Sequence, residues 1–234
     1  SDIPQKVWTD RQDRTIPLPS FESAALSTEY YAVSYLSKEP GNREIEVARV
    51  DCEGPPVIQH TIPSSAPIEC MSLGNGSLWT FSSGTLHRFS IQSVNENPVQ
   101  SINLMQKYGT AKLTTLPGGK AAVTFPTSRL VSIVSADMDL NTIEVPYEGI
   151  LTMENIGPNF ILGLVKSYTP RLFSDEFQEI RAFPGHTGDI LDFFVLSDTL
   201  FASRSDDKTV GIWDIRNVSP IAVLGSGRAV IQTV

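Results

Sequence analysis

The sequence predicts an all-β chain built from four-stranded antiparallel units that repeat about every forty residues. Three observations carry this. Short runs rich in Val, Ile, Leu and Phe alternate with clusters of Gly, Pro, Asn, Asp and Ser, the pattern of strands separated by turns. Opening strands placed near Glu22, Ile68, Ala111, Ile150, Asp189 and Arg228 lie 39–46 residues apart. No stretch carries a 3.6-residue apolar stripe of helical length. A period of about 40–45 residues with four strands per repeat is the signature of a β-propeller, each repeat being one blade. The reading is therefore about six blades, or part of a seven-bladed propeller.

The elements follow in order. Val7-Trp8-Thr9-Asp10 and Thr15-Ile16-Pro17-Leu18 read as the last two strands of a blade whose beginning is absent. A blade opens near Glu22, and the next takes strands 68–73, 78–81, 86–91 and 99–104. Another takes 112–116, 121–125, 130–134 and 142–145, followed by 150–153, 160–165, 171–173 and 179–183. Gly74-Asn75-Gly76 and Pro117-Gly118-Gly119 fall where the first hairpin of a blade turns. The clearest blade opens near Asp189 and runs through 192–195 and 200–214 to 220–224, with Asp206-Asp207-Lys208 as a tight turn between two strands. Residues 228–234 read as the first strand of a further blade. The strands then fall one short of six complete blades. Either the ends share a sixth, incomplete blade, with 228–234 beside 7–18, or the chain is a segment of a larger propeller. On the first alternative, residues 1–234 form a single domain.

Composition narrows the class. Of 234 residues, 41% are hydrophobic and 16 are Gly, a globular composition that excludes disordered and collagen-like chains. No apolar run approaches the roughly 18 residues that span a bilayer, so no membrane span is expected. The net charge of −8, from 18 basic and 26 acidic residues, argues against direct nucleic-acid binding, which needs clustered Lys and Arg. A basic peptide segment suits that charge as a partner. Cys52 and Cys70 are too few for a disulfide framework and read as small buried thiols. Ser1-Asp2-Ile3-Pro4 lacks the basic and apolar regions of a signal peptide. The expected location is the cytoplasm or nucleus; the chain is read as not secreted.

Gly185-His186 is followed by Trp213-Asp214, with Trp213 27 residues after His186, and residues 202–210 read Ala-Ser-Arg-Ser-Asp-Asp-Lys-Thr-Val. Over about 183–224 the chain resembles the WD-repeat (WD40) family. In that family a His before the first strand, a Ser in the second, an Asp in the turn and a Trp in the third form one hydrogen-bonded set. The resemblance implies that His186, Ser203, Asp207 and Trp213 take these places. Physical chemistry independently allows the pairing: a buried indole N–H needs an acceptor, a Ser hydroxyl serves, and a His can link that hydroxyl to a carboxylate. Arg204 stands where the family's turn stretch has a glycine. Elsewhere the signature has decayed, with no Gly-His before 68, 111 or 150 and with Trp79 on a second strand.

The chemistry-bearing residues read mostly as structure. His60, His87 and His186 fall in different blades without ligand spacing, so no metal is expected. Asp137-Met138-Asp139 and Asp206-Asp207 lack the distal Glu of a Ca²⁺ loop and read as solvated turns. Gly225-Ser226-Gly227-Arg228 lacks the Lys-Ser/Thr pair of a phosphate cradle and reads as a strand-linking turn. No Gly-x-Ser-x-Gly elbow is present. The reading is a non-enzymatic protein-protein interaction scaffold without cofactors, a subunit or domain of a larger complex that binds protein partners. By family analogy, Asp189, Arg204 and Asp206 form the candidate partner-binding rim. The alternative is a propeller enzyme or small-ligand binder with its site at the central channel mouth.

Overall fold

The structure, a computed structural model, describes residues 21–27, 30–36, 43–49, 58–62, 67–91, 100–104, 110–147, 149–225 and 228–231. Its strands are β1 (Phe21–Leu26), β2 (Tyr30–Leu36), β3 (Arg43–Arg49), β4 (Ile58–Ile62), β5 (Cys70–Gly74), β6 (Ser77–Ser82), β7 (Thr85–Ser90) and β8 (Gln100–Asn103). There follow β9 (Lys112–Leu116), β10 (Lys120–Thr124), β11 (Leu130–Val134), β12 (Leu140–Glu144), β13 (Ile150–Ile156), β14 (Asn159–Leu164), β15 (Arg171–Phe173) and β16 (Glu179–Ala182). The last are β17 (Ile190–Val195), β18 (Leu200–Ser205), β19 (Thr209–Asp214), β20 (Ala222–Gly225) and β21 (Arg228–Ile231). Among the described residues they form five antiparallel sheets: β1–β4, β5–β8, β9–β12, β13–β16 and β17–β21, each strand paired with its neighbours in sequence.

Turn chemistry sets the hairpins. Asn75 and Gly76 both have positive φ, 51° and 70°, and join β5 to β6 with Gly74 opposite Ser77. This two-residue turn matches strand twist only with left-handed residues, which Asn and Gly supply. Ser82 and Ser205 each close the end of a second strand by donating to a backbone carbonyl before the first, Pro67 and Gly188 respectively, at 2.9 Å in both.

The chain divides into two compact units, Ser1–Asn103 and Leu104–Val234. In the first unit, Ala32, Ile45 and Val47 of the first sheet pack with Met71, Leu73, Leu78 and Phe89 of the second. In the second unit, Leu116, Ala122 and Val131 of the third sheet meet Met153, Phe160, Leu162 and Phe173 of the fourth. The opposite face of the fourth sheet, through Ile156, Ile161 and Leu172, meets Phe193, Phe201 and Trp213 of the fifth. Strand β13 lies against both β9 and β17.

The ends correct the sequence reading. Residues 228–231 do not open a further blade; β21 pairs with β20 as the fifth strand of the fifth sheet, Gly225 opposite Arg228. The reason is reach. Passing from an outermost strand to an innermost one crosses three strand spacings, about 14 Å, whereas the two residues between Gly225 and Arg228 extend about 11 Å at most. Two intervening residues make a hairpin. The predicted strands 7–10 and 15–18 lie outside the described residues, as does Cys52. Cys70 sits on β5, partly buried.

Candidate functional site

The fifth sheet holds the densest polar arrangement among the described residues. His186 precedes β17, Ser203 lies on β18, Asp207 in the turn to β19, and Trp213 on β19. The indole Nε1–H of Trp213 donates to Ser203 Oγ at 2.7 Å, and Ser203 Oγ lies 2.7 Å from His186 Nε2. His186 Nδ1 lies 2.9 Å from Asp207 Oδ2. A carboxylate only accepts, so the His186 proton sits on Nδ1, leaving Nε2 to accept the Ser203 hydroxyl proton. Each donor then has one acceptor, from indole to hydroxyl to imidazole to carboxylate.

Two threonines complete the set, and sequence reasoning missed both. Thr209 donates to Asp207 Oδ1 from its hydroxyl at 2.6 Å and from its backbone at 2.9 Å, and the Thr187 N–H donates to Oδ2 at 2.9 Å. Burial pushes the Asp207 carboxyl up, but these donors and His186 outweigh it and hold the group well below the usual carboxylate range. The available signal was the Asp-x-Thr spacing, which sets a hydroxyl two residues beyond the turn carboxylate. Glycine makes room for the ring: a Cβ on Gly211 would lie 2.6 Å from Trp213 Nε1, and one on Gly188 would lie 2.7 Å from the Asp207 nitrogen. Phe183 and Phe201 wedge the indole, with ring centroids at 5.9 and 6.2 Å.

Ser203, His186 and Asp207 have the connectivity of a nucleophile triad, and burial decides what that arrangement can do. Ser203 has no exposed surface, and its Oγ already accepts the Trp213 proton. A nucleophile must reach a reacting atom about 3 Å away. Here that position is filled by the indole, so the group rigidifies the sheet.

Of the rim residues, Asp189 and Asp206 meet through the backbone, the Asp206 N–H donating to the Asp189 carbonyl at 2.9 Å. The Asp189 carboxylate accepts the Lys166 N–H at 3.0 Å, joining the fifth sheet to a turn of the fourth. Asp206 pairs with Lys208 at 2.8 Å where both side chains are mostly solvated, a pair of little energetic weight. Arg204 does not join them; its guanidinium binds Asp192 on β17. Lys112 on β9 also reaches Asp192, at 3.6 Å. Glu154 of β13 belongs to this inner-strand cluster. Burial, with the Asp192 charge adding and Lys112 opposing, pushes its carboxyl up to about 7.

No family model matches the chain. Its structure is similar to the structure of U3-55K, with a TM-score of 0.67 over 91% of this chain and 66% of that one, at 16% sequence identity. The fold is a β-propeller. Likeness at that identity carries the fold alone, and the chain spans just under two thirds of the length of the propeller it matches. Among the described residues no helix is long and apolar enough to cross a membrane.

Proposed function

We propose that the chain is a WD-repeat propeller acting as a non-enzymatic protein-interaction scaffold, a subunit or domain of a larger complex in the cytoplasm or nucleus. One observation carries this: the hydrogen-bonded set of the fifth sheet is buried, while the turn it holds presents Asp206 and Lys208 to solvent. A rigid frame with a charged, solvated rim pre-organises a surface for recognition, which lowers the ordering cost of binding. The net charge of −8 and the carboxylates of Asp189 and Asp206 favour a basic peptide segment, chiefly through its rate of encounter.

The test is quantitative capture of partners on the immobilised protein, comparing wild type with Asp206→Lys and Arg204→Glu. The reading expects a partner whose capture falls at least tenfold in a variant that melts at the wild-type temperature, with cross-links mapping to 185–189 and 204–208. Capture indifferent to both substitutions, or cross-links confined to other turns, contradicts it.

A further inference from the structure

The three sheets of the second unit finish their outer edges in three different ways. A last strand turns the backbone groups of every second residue outward, a ready template for another strand. In the fifth sheet β21 occupies that template on β20, from Ala222 opposite Ile231 to Gly225 opposite Arg228. In the fourth sheet β16 is bulged: Leu172 faces Arg181 and Phe173 faces Glu179, so Ile180 has no opposite residue. A bulge twists the edge away from an incoming strand. In the third sheet β12 has neither device. Its five residues run in unbroken register, from Leu140 opposite Val134 to Glu144 opposite Leu130, and contain no Pro or Lys. Among the described residues nothing pairs with its other side.

The groups that β12 presents follow from its ladder. The Ser135 N–H donates to the Asp139 carbonyl and the Val145 N–H to the Arg129 carbonyl, both at 2.9 Å. Hydrogen-bonded and non-hydrogen-bonded pairs alternate along an antiparallel ladder, so Asn141 and Ile143 direct their backbone groups to β11. Leu140, Thr142 and Glu144 turn theirs outward. Leu140 is 45% exposed, and Asn141, Thr142 and Glu144 are exposed beside it. Asp137 and Asp139 stand exposed just before the strand, so the edge is acidic at both ends.

We propose that the outer edge of β12 docks an extended, basic-ended segment of a protein partner, added to the third sheet as a fifth, antiparallel strand. The direction follows from the molecule, where β21 lies antiparallel on β20 and shows an outermost strand of this fold accepting a fifth. Cross-strand pairing sets the segment's chemistry: Lys or Arg opposite Glu144 and Asp139, and apolar residues opposite Ile143 and Leu140. Charge disfavours a second copy. Two β12 strands paired antiparallel about Thr142 set Glu144 of each beside Asp139 of the other, and each chain carries a net charge of −8. The inference takes from the proposed function only that the partner is a protein, and its surface shares no residue with the rim at 185–189 and 204–208.

The test titrates the intact chain with the acetylated, amidated peptide Gly-Lys-Val-Thr-Val-Val-Lys-Gly and follows backbone amide exchange. The proposal expects saturable binding below about 1 mM, and at least tenfold protection of the Leu140, Thr142 and Glu144 amides. Asn141 and Ile143, already bonded to β11, gain none. Thr142→Pro deletes an outward N–H that the ladder does not use, so it should melt within about 2 °C of wild type and bind at least tenfold more weakly. Asp139→Lys with Glu144→Lys is the second variant and should prefer the same peptide with Glu in place of Lys. Asp206→Lys leaves peptide binding unchanged, which separates this edge from the rim. No binding at 1 mM, protection elsewhere, or equal affinity for the Lys and Glu peptides in wild type overturns the proposal. So does a chain that dimerises in sedimentation until Asp139 and Glu144 are changed, since the occupant is then a second copy.

Discussion

The fourth and fifth sheets share one register and solve the same packing problem with different chemistry. Phe160 opposes Phe173 as Phe201 opposes Trp213, and Leu162 opposes Arg171 as Ser203 opposes Gly211. Leu162 and Ser203 are both fully buried. Where the fifth sheet runs a chain of hydrogen bonds, the fourth places a leucine and a phenylalanine ring. An apolar pair needs only volume, whereas the polar chain needs every member, because one deletion leaves its neighbours buried and unpaired. A blade of this kind can form either way. The polar version adds a fixed geometry between the turn at 205–208 and the approach to β17 at 186–189.

The largest expected way to break the comparison is Trp213→Ala, which empties the ring site and removes the Ser203 donor at a cost of about 3–5 kcal/mol in denaturant unfolding. Trp213→Phe converts that place to the solution of the fourth sheet and should lose less than half as much. A loss equal to that of Ala would show that the indole N–H outweighs the ring's volume. Next comes Asp207→Ala, which strands the His186 Nδ1–H and the Thr187 and Thr209 amides, costing about 1–3 kcal/mol. A depressed carboxyl stabilises above its unfolded pKa and loses that contribution as pH falls through the folded one. The gap between wild type and Asp207→Asn should therefore be constant above about pH 5 and shrink in more acidic solution. A gap that ignores acid would remove the carboxylate from the account.

The smallest effect concerns Glu154, at the position that Phe194 takes in the fifth sheet. Its carboxyl is raised from 4.5 to about 7, so the folded state holds the proton more tightly, and stability falls as pH rises across that window. Glu154→Gln should abolish this slope, matching wild type near pH 4.5 and melting higher above pH 7. A wild-type melting temperature that follows the Gln variant across pH 5–8 would contradict the raised value.

What was legible in the sequence divides along the same line. The strands of the fifth sheet could be read because polar residues with positional identity mark it: Gly185-His186, Ser203, Asp207, Trp213-Asp214. The fourth sheet could be read only from its period, since Leu162 and Phe173 are interchangeable with other apolar residues and carry no signature. Thr209 was legible only through the Asp-x-Thr spacing and was missed, while Gly211 was invisible as a site residue because its role, clearance for the indole, exists only in the assembled sheet. The period misled at 228. Thirty-nine residues separate Asp189 from Arg228, the spacing of a new blade, yet the two-residue link before Arg228 permits only a hairpin. Connection length, not periodicity, decides that strand. The open edge of β12 was equally hidden, because a sequence pattern reports that a segment is extended and not what pairs with it.

The central claim is that Trp213, Ser203, His186 and Asp207 act as one chain, and a double-mutant cycle on two members joined only through a third tests it most directly. Ser203 and Asp207 meet only through His186, so Ser203→Ala, Asp207→Ala and the double variant, compared by denaturant unfolding, report coupling through the imidazole. The account predicts a coupling of about 1 kcal/mol or more, the double variant being less destabilised than the sum of the singles. Additivity within about 0.3 kcal/mol would mean two independent hydrogen bonds and would contradict it.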